Sequence, residues 1–354
     1  MSGNYNSFRP GQEWLDGSGH PIQAHGGSVI ERGGVFYWYG ENKERTTGEN
    51  DIWHWGIRCY SSTDLYNWDD KGLIIEPQEL DRDHPLHFAQ HVDRPHIVYD
   101  ESRGQYVCWL KNMGVDAAEQ QTATVLTSPN LLGPYTLVDA FVKPAGLAMG
   151  DFDIAVAGGR GHLVFEHPHS EVVVADLSDD FMHAVGETSA HFTGRSIPDT
   201  REAPAFFERL GRYYLATSGT SGYFPNPSEI AVADRVHGPW TVLGNLHPAD
   251  RSRTSFRTQI SSVFRHPHKK DLYIALGDRW LPRRSAMESN QTELFRELFT
   301  GADATKLQSL AASAGSDLDK ANTSLARYAW LPIRFDGRTP SIDWVDEWRV
   351  EDYE

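Results

Sequence analysis

The chain reads as short apolar runs broken at regular intervals by turn residues. YWYGE (37–41), YVCWLK (106–111), HLVFEH (162–167), YYLATSG (213–219), LYIALGD (272–278) and YAWLPI (328–333) are rich in aromatic and branched side chains. Most follow a glycine-bearing turn, Arg32-Gly33-Gly34, Ser102-Arg103-Gly104, Gly158-Gly159-Arg160-Gly161 or Leu210-Gly211-Arg212. Each therefore reads as the second arm of a β-hairpin. Their starts lie 51–69 residues apart. A second element recurs between them, at 61–75, 127–142, 174–185 and 232–246, joining one short strand to another through a turn. A unit of four strands repeated at this period marks a β-propeller. Five blades allow about 71 residues each and seven only about 51, so the pattern predicts an all-β, five-bladed propeller. No linker-like stretch interrupts the series, and one domain is predicted over 1–354.

The pattern breaks once. From about 286 to 321 the strand signal stops, and Leu294 with Leu298 and Phe295 with Phe299 pair at i, i+4 spacing. This predicts an α-helical insertion in the last blade, read as a surface elaboration or as a subunit contact that would make a homo-oligomer. A lid over the active site is the alternative.

Charge narrows the partners. With 33 Lys+Arg against 49 Asp+Glu, the net charge is −16, which argues against nucleic acid and anionic membrane surfaces. No apolar run is long enough to span a bilayer. Residues 1–6 show neither a basic start nor an apolar core. The expectation is a cytoplasmic protein, or a secreted one if an export signal has been removed. Cys59 and Cys108 are too few for a disulfide framework or a thiolate metal site. The 11 Trp residues suit β cores, but indoles also stack on the C–H faces of sugar rings while carboxylates bond the hydroxyls. An oligosaccharide is the partner this mixture suggests.

Glu41, Asp93, Asp151, Glu202 and then Gln259 follow one another at intervals of 51–58 residues. Each stands where a turn meets an apolar run, so a propeller would bring them to one mouth of its channel. Glycosidic hydrolysis needs an acid for the leaving oxygen and a base for water, and inversion results when the two lie about 6.5–9.5 Å apart. A further carboxylate beside the acid would keep it protonated. Such chemistry needs no metal or other cofactor. Serine-nucleophile elbows, HExxH, CxxC pairs and phosphate-cradling glycine loops are missing from the sequence. The His-Pro-His turns at 167–169 and 266–268 are expected at the surface, and His25, His87 and His91 lack the spacing of a metal motif.

At the level of motifs the chain resembles glycoside hydrolase family 43, and most closely its exo-β-1,3-galactanase branch. The strings that carry the resemblance are IQAHGGSVI (22–30), FYWYGENK (36–43), VDRPHIVYDE (92–101), GPYTLV (133–138), REAPAFFERLGRYYLATSGTSGYFPNP (201–227), TQISSVF (258–264), YIALGDRW (273–280) and RYAWLPIRFDG (327–337). The resemblance implies an inverting exo-enzyme that releases terminal galactose from β-1,3-galactan or arabinogalactan-derived oligosaccharides. A furanosidase of the same fold and a non-catalytic sugar-binding propeller stay open beside it. By the same resemblance Glu202 is the general acid, Asp151 orients it and sets its pKa, and Asp153 is the alternative for that task. Asp93 is a base or substrate ligand, and Gln259 positions or activates the water. His25, Glu41, Arg94, Ser218, Tyr223, Asn226, Asp278, Arg279 and Trp280 are expected to bind substrate. Two departures stand out: position 93 carries Asp where the branch has Glu, and MGDFDIAV replaces the usual phrase around Asp151.

Overall fold

A computed structural model describes residues 4–115, 121–282 and 321–354, with Leu294, Glu297, Thr305 and Lys306 between the last two stretches. Its strands fall into five antiparallel sheets arranged around an axis. The first comprises β1 (His25–Arg32), β2 (Val35–Glu41), β3 (Ile57–Ser62) and β4 (Asp69–Ile75). The second comprises β5 (Val92–Asp100), β6 (Gln105–Asn112), β7 (Thr122–Ser128) and β8 (Thr136–Val142). The third holds β9 (Phe152–Ala157), β10 (Arg160–His167), β11 (Glu171–Leu177) and β12 (Ala184–His191). The fourth holds β13 (Arg201–Arg209), β14 (Arg212–Gly219), β15 (Glu229–Ala233) and β16 (Thr241–Gly244). In the fifth, β17 (Gln259–Arg265) pairs with β18 (Tyr273–Arg279) and β18 with β19 (Arg327–Pro332), followed by the separate hairpin β20 (Arg334–Asp336) and β21 (Thr339–Ser341). Strand order within each sheet follows the chain. The first strands touch in a ring, β1 to β5, β5 to β9, β9 to β13, β13 to β17 and β17 back to β1. The five-bladed propeller expected from the repeat is thus what the chain forms.

The composition of the middle strands follows from this packing. Successive residues of a strand face opposite sides, and a blade has a neighbour on each side. In β6, Cys108 and Leu110 pack with Tyr39, Ile57 and Cys59 of the first blade. The alternate residues Val107 and Trp109 pack with Phe152, Leu163 and Phe165 of the third. Both faces are dry, so the run is apolar throughout instead of alternating. The same logic fills the remaining three seams. Cys59 and Cys108 are free, buried thiols in one of these seams.

Ring closure brings the two ends of the chain together. Phe8 and Trp348 exchange backbone hydrogen bonds of 2.9 and 3.1 Å, and their rings stack at 4.2 Å. Both join Trp38, Trp68 and Trp330 in the seam between the fifth and first blades. The segment from 286 to 321, expected to be a helical insertion, lies outside the described residues apart from four isolated positions and its last residue, Ala321. Among the described residues no bounded α-helix is present, and no helix is long and apolar enough to cross a membrane. Of the His-Pro-His turns, His167 and His169 are partly exposed, as expected. His266 is not: it is buried against Phe36 of the first blade and Phe264 of the fifth.

Replacing Phe8 by Ala removes the ring that clasps the two termini, and the expected loss is about 3–5 kcal/mol, read from urea denaturation. A loss below about 1 kcal/mol would show that the terminal segments do not help close the ring.

Candidate active site

Three of the five inner strands begin with the same irregularity. It falls at His25-Gly26-Gly27, Asp93-Arg94-Pro95 and Glu202-Ala203-Pro204, where the middle residue has a φ of 62°, 54° and 48° respectively. At each the pairing register slips, between His25 and Ser28, Asp93 and His96, and Glu202 and Ala205. These are β-bulges with a left-handed first residue, which bend the strand and re-aim its side chains. A bulge needs no ladder bond from the following residue, which is why Pro95 and Pro204 are tolerated inside strands. For Arg94 and Ala203 the left-handed backbone costs on the order of 1 kcal/mol or more. Arg94 is held there by its own amide, which donates to Glu41 Oε1 at 2.8 Å. At Gly26 a side chain would collide with the same Glu41 carboxylate.

The re-aimed side chains meet in the channel. Asp151, just ahead of β9, receives Lys111 Nζ at 2.9 Å and the Arg94 guanidinium at 3.1 Å. Burial would raise its pKa, but these two cations prevail and hold it ionised, below the usual carboxylate range. Arg94 also donates to Gln259 Oε1, and Gln259 Nε2 reaches Glu202 Oε1 at 3.2 Å and Ser218 Oγ at 3.0 Å. Asp151 and Glu202 are therefore joined through Arg94 and Gln259. Glu202 is buried and, among the described residues, no cation forms an ion pair with it, so desolvation pushes its carboxyl well above the ordinary range. Glu166 and Asp151 add like-charge repulsion, which outweighs the pull of Lys111 and Arg94.

A second cluster adjoins the first. Lys43 is 1% exposed and lies 2.9 Å from Glu41 and 3.3 Å from Asp93. Asp93 also accepts the Trp53 indole N–H at 2.7 Å. Its pKa is lowered: burial opposes ionisation, but Lys43, Lys111 and Trp53 outweigh it. Burial raises Glu41 to about 8 in spite of Lys43. On the far side Asp278 accepts from Gly26 N at 3.0 Å and lies 3.0 Å from His25 Nδ1, whose ring stacks on Tyr328.

Ser218, Tyr223, Gln259, Asp278 and Trp280 line one cleft. Tyr223 also borders an adjoining depression with Trp53 and His91. Tyr223 lies 5.3 Å from the Trp280 ring and 6.1 Å from Trp53, so aromatic faces border the opening above the carboxyls. Three expected site residues are used otherwise. Asp153 accepts from Phe206 N at 2.8 Å and Ile154 N at 2.7 Å and faces His96 at 3.2 Å. It ties the third inner strand to the fourth, and burial raises it to about 7. The Asn226 amide is spent on Gly219 and Ser221, shaping its own loop. Arg279 bonds to the Phe256 carbonyl at 2.8 Å and lies over Trp344, because strand alternation turns it away from the face that Asp278 presents. His87 is likewise occupied locally, accepting from Ala89 N.

Sequence reasoning passed over Lys43, Trp53, Lys111 and Glu166. Three of them close or follow the second strand of a blade, Lys43 after β2, Lys111 near the end of β6 and Glu166 near the end of β10. The signal was present: a charged residue ending a wholly apolar strand has nowhere to go but the channel mouth. Glu166 lies close enough to Asp151 for a 3.4 Å contact from Asp151 N to its Oε2. Its Oε1 accepts from His169 N at 2.9 Å.

The model for glycosyl hydrolases family 43 matches residues 21–290. A solved GH43 β-1,3-galactosidase is 25% identical, covering 99% of this chain and 65% of its own, with a TM-score of 0.80. An exo-β-1,3-galactanase from Phanerochaete chrysosporium, crystallised with β-1,3-galactotriose, is 23% identical, covering 98% of this chain and 68% of its own, with a TM-score of 0.76. A curated relative from Escherichia coli (strain K12), named "Putative beta-xylosidase", is 23% identical over 65% of this chain. The chain spans 43% of that relative's length.

Lys43→Met leaves two buried carboxyls without their shared cation. The expected cost is about 3–5 kcal/mol of stability, measured by denaturant unfolding at neutral pH. An unchanged midpoint would show that Glu41 and Asp93 do not depend on Lys43.

Proposed function

The chain belongs to family 43 of the glycosyl hydrolases, and from that premise we propose an inverting, exo-acting hydrolase that releases terminal galactose from β-1,3-linked galactooligosaccharides. The observation that carries the proposal is the split between two linked buried carboxyls. Glu202 is pushed toward the protonated form by burial, Glu166 and Asp151, while Asp151 is kept ionised by Arg94 and Lys111. A proton donor must be protonated at working pH, and Glu202 meets that condition without a metal.

On this reading Glu202 protonates the leaving oxygen. Asp151 acts through it, as a positioning residue. Gln259, bonded to Glu202 and to Ser218, holds the attacking water in register. The proton this water sheds as its oxygen bonds the anomeric carbon leaves to solvent, which also returns a proton to Glu202 after the glycosidic C–O bond breaks. Asp93 stays charged and favours the positive charge that develops on the sugar ring in the transition state. It is already engaged by Lys43 and Trp53, which weakens it as a base. Tyr223, Trp280 and Trp53 offer the flat faces on which a pyranose ring packs. Galactose in preference to a pentose is supported by the galactosidase to which the chain is similar over nearly its whole length.

Two measurements test this. Glu202→Gln is expected to reduce turnover of β-1,3-galactotriose by at least about 10²–10⁴-fold with little change in binding. The wild type is expected to release galactose from the non-reducing end, with inverted anomeric configuration read by proton NMR. Release of pentose alone from a xyloside and arabinofuranoside panel would reassign the substrate, and retained activity in Glu202→Gln would remove Glu202 from the acid role. The second concerns pH. Activity needs protonated Glu202, so it falls as pH rises through that group's raised pKa. Glu166→Gln removes a like charge, lowers that pKa and shifts the alkaline limb of kcat/KM to lower pH. A limb that stays in place would show that Glu166 does not act on the acid.

A further inference from the structure

We propose that His162, Asp176 and His237 form a divalent transition-metal site, of the class that takes zinc, clamping the third blade to the fourth. His162 on β10 stands opposite Asp176 on β11 in the strand register, and His237 comes from the connection between β15 and β16 in the next blade. Their donor atoms all lie within 4.8 Å of one another. Asp176 Oδ1 is 2.9 Å from His162 Nδ1 and 3.0 Å from His237 Nε2. Both imidazoles thus converge on one carboxylate oxygen.

The arrangement at His162 points to a cation. The residue is 6% exposed, and its Nδ1 makes no aligned hydrogen bond despite the nearby carboxylate. The Nδ1 and the Asp176 Oδ1 thus stand 2.9 Å apart without an aligned hydrogen bond between them, each with a lone pair to offer a shared ion. A divalent ion accepts both lone pairs at once.

The surroundings fit the same use. His237 Nδ1 lies 2.8 Å from Ser189 Oγ, which also reaches His191 Nε2 at 2.9 Å. That contact fixes the ring so that Nε2 faces Asp176, as outer hydrogen bonds orient metal ligands elsewhere. Two nitrogens and one carboxylate oxygen suit zinc and neighbouring ions, whereas calcium and magnesium prefer oxygen alone. Asp176 also borders an open groove with Arg103, Arg160 and Phe181, which gives an ion a route in and leaves a position for water. The site is separate from the channel. His162 pairs with Ala155, four residues along the strand from Asp151, a separation of roughly 13 Å at the rise of a β-strand.

The test is calorimetric titration of ZnCl2 into the full chain after stripping with EDTA, with cobalt as a spectroscopic probe. One site of micromolar or tighter affinity is expected, with a visible Co2+ band and a higher melting temperature when zinc is bound. His237→Gln alters a side chain that is 11% exposed, and far-UV circular dichroism checks that the variant keeps its fold. It should weaken zinc by at least about 10-fold and abolish the cobalt band, and Asp176→Asn should do the same. Equal affinity in the wild type and both variants would overturn the proposal, placing the ion on other histidines. Binding no tighter than millimolar in the wild type would overturn it too.

Discussion

Charge burial without enough counter-charge governs this channel. Glu41, Asp93, Asp151, Glu166 and Glu202 crowd one end of the propeller axis, and the cations that the described residues set between them are Lys43, Arg94 and Lys111. A buried carboxylate without a partner is costly enough that the group takes up a proton instead. Carboxyls outnumber cations, so some must do so. Asp93 and Asp151 hold the cations and stay ionised, and Glu41 and Glu202 are driven up. The protonated acid is in this sense a consequence of arithmetic in a dry space.

The fold supplies that space. Each blade packs apolar side chains against both neighbours, so five seams lock the inner strands into a ring whose ends cannot spread. The bulges then turn Asp93 and Glu202 inward from strands whose neighbouring positions feed the seams. Arg94 is central to the result, because its amide fixes Glu41 while its guanidinium spans Asp151 and Gln259. A left-handed arginine inside a strand is strained, and the bonds at both of its ends hold it there. Preorganisation of this kind is how a static site favours charge that develops only in a transition state.

Much of this was readable beforehand. The blade count followed from turn-punctuated apolar runs, and the carboxylate series followed from blade-sized spacing. Glu202, Asp151, Asp93 and Gln259 were found because chain spacing maps onto angle around a propeller. What spacing cannot give is the direction of a side chain within a bulge. AHGG, VDRP and REAP look like three unrelated strings, yet the structure shows them to be one backbone device. For the same reason Asp153 was expected to share a side with Asp151, whereas it is spent on the amides of Ile154 and Phe206. Arg279 was expected to bind substrate because it belongs to the GDRW string, and alternation along β18 sends it the other way. Lys43, Lys111 and Glu166 lie at or just beyond the ends of second strands, and blade-sized spacing traced only one acidic or amide series, so neither the lysines nor a second glutamate of the third blade entered it.

The central claim is that two buried carboxyls joined through Arg94 and Gln259 are held in opposite protonation states by the channel itself. Carbon-13 NMR of glutamate- and aspartate-carboxyl-labelled protein, titrated without substrate and assigned with Glu202→Gln and Asp151→Asn, measures that directly. The account expects the Glu202 signal to titrate well above the 4.5 of a free glutamate, with Asp151 still ionised below its ordinary 3.8. Glu202 titrating at or below 4.5, alongside an Asp151 at its ordinary value, would contradict it.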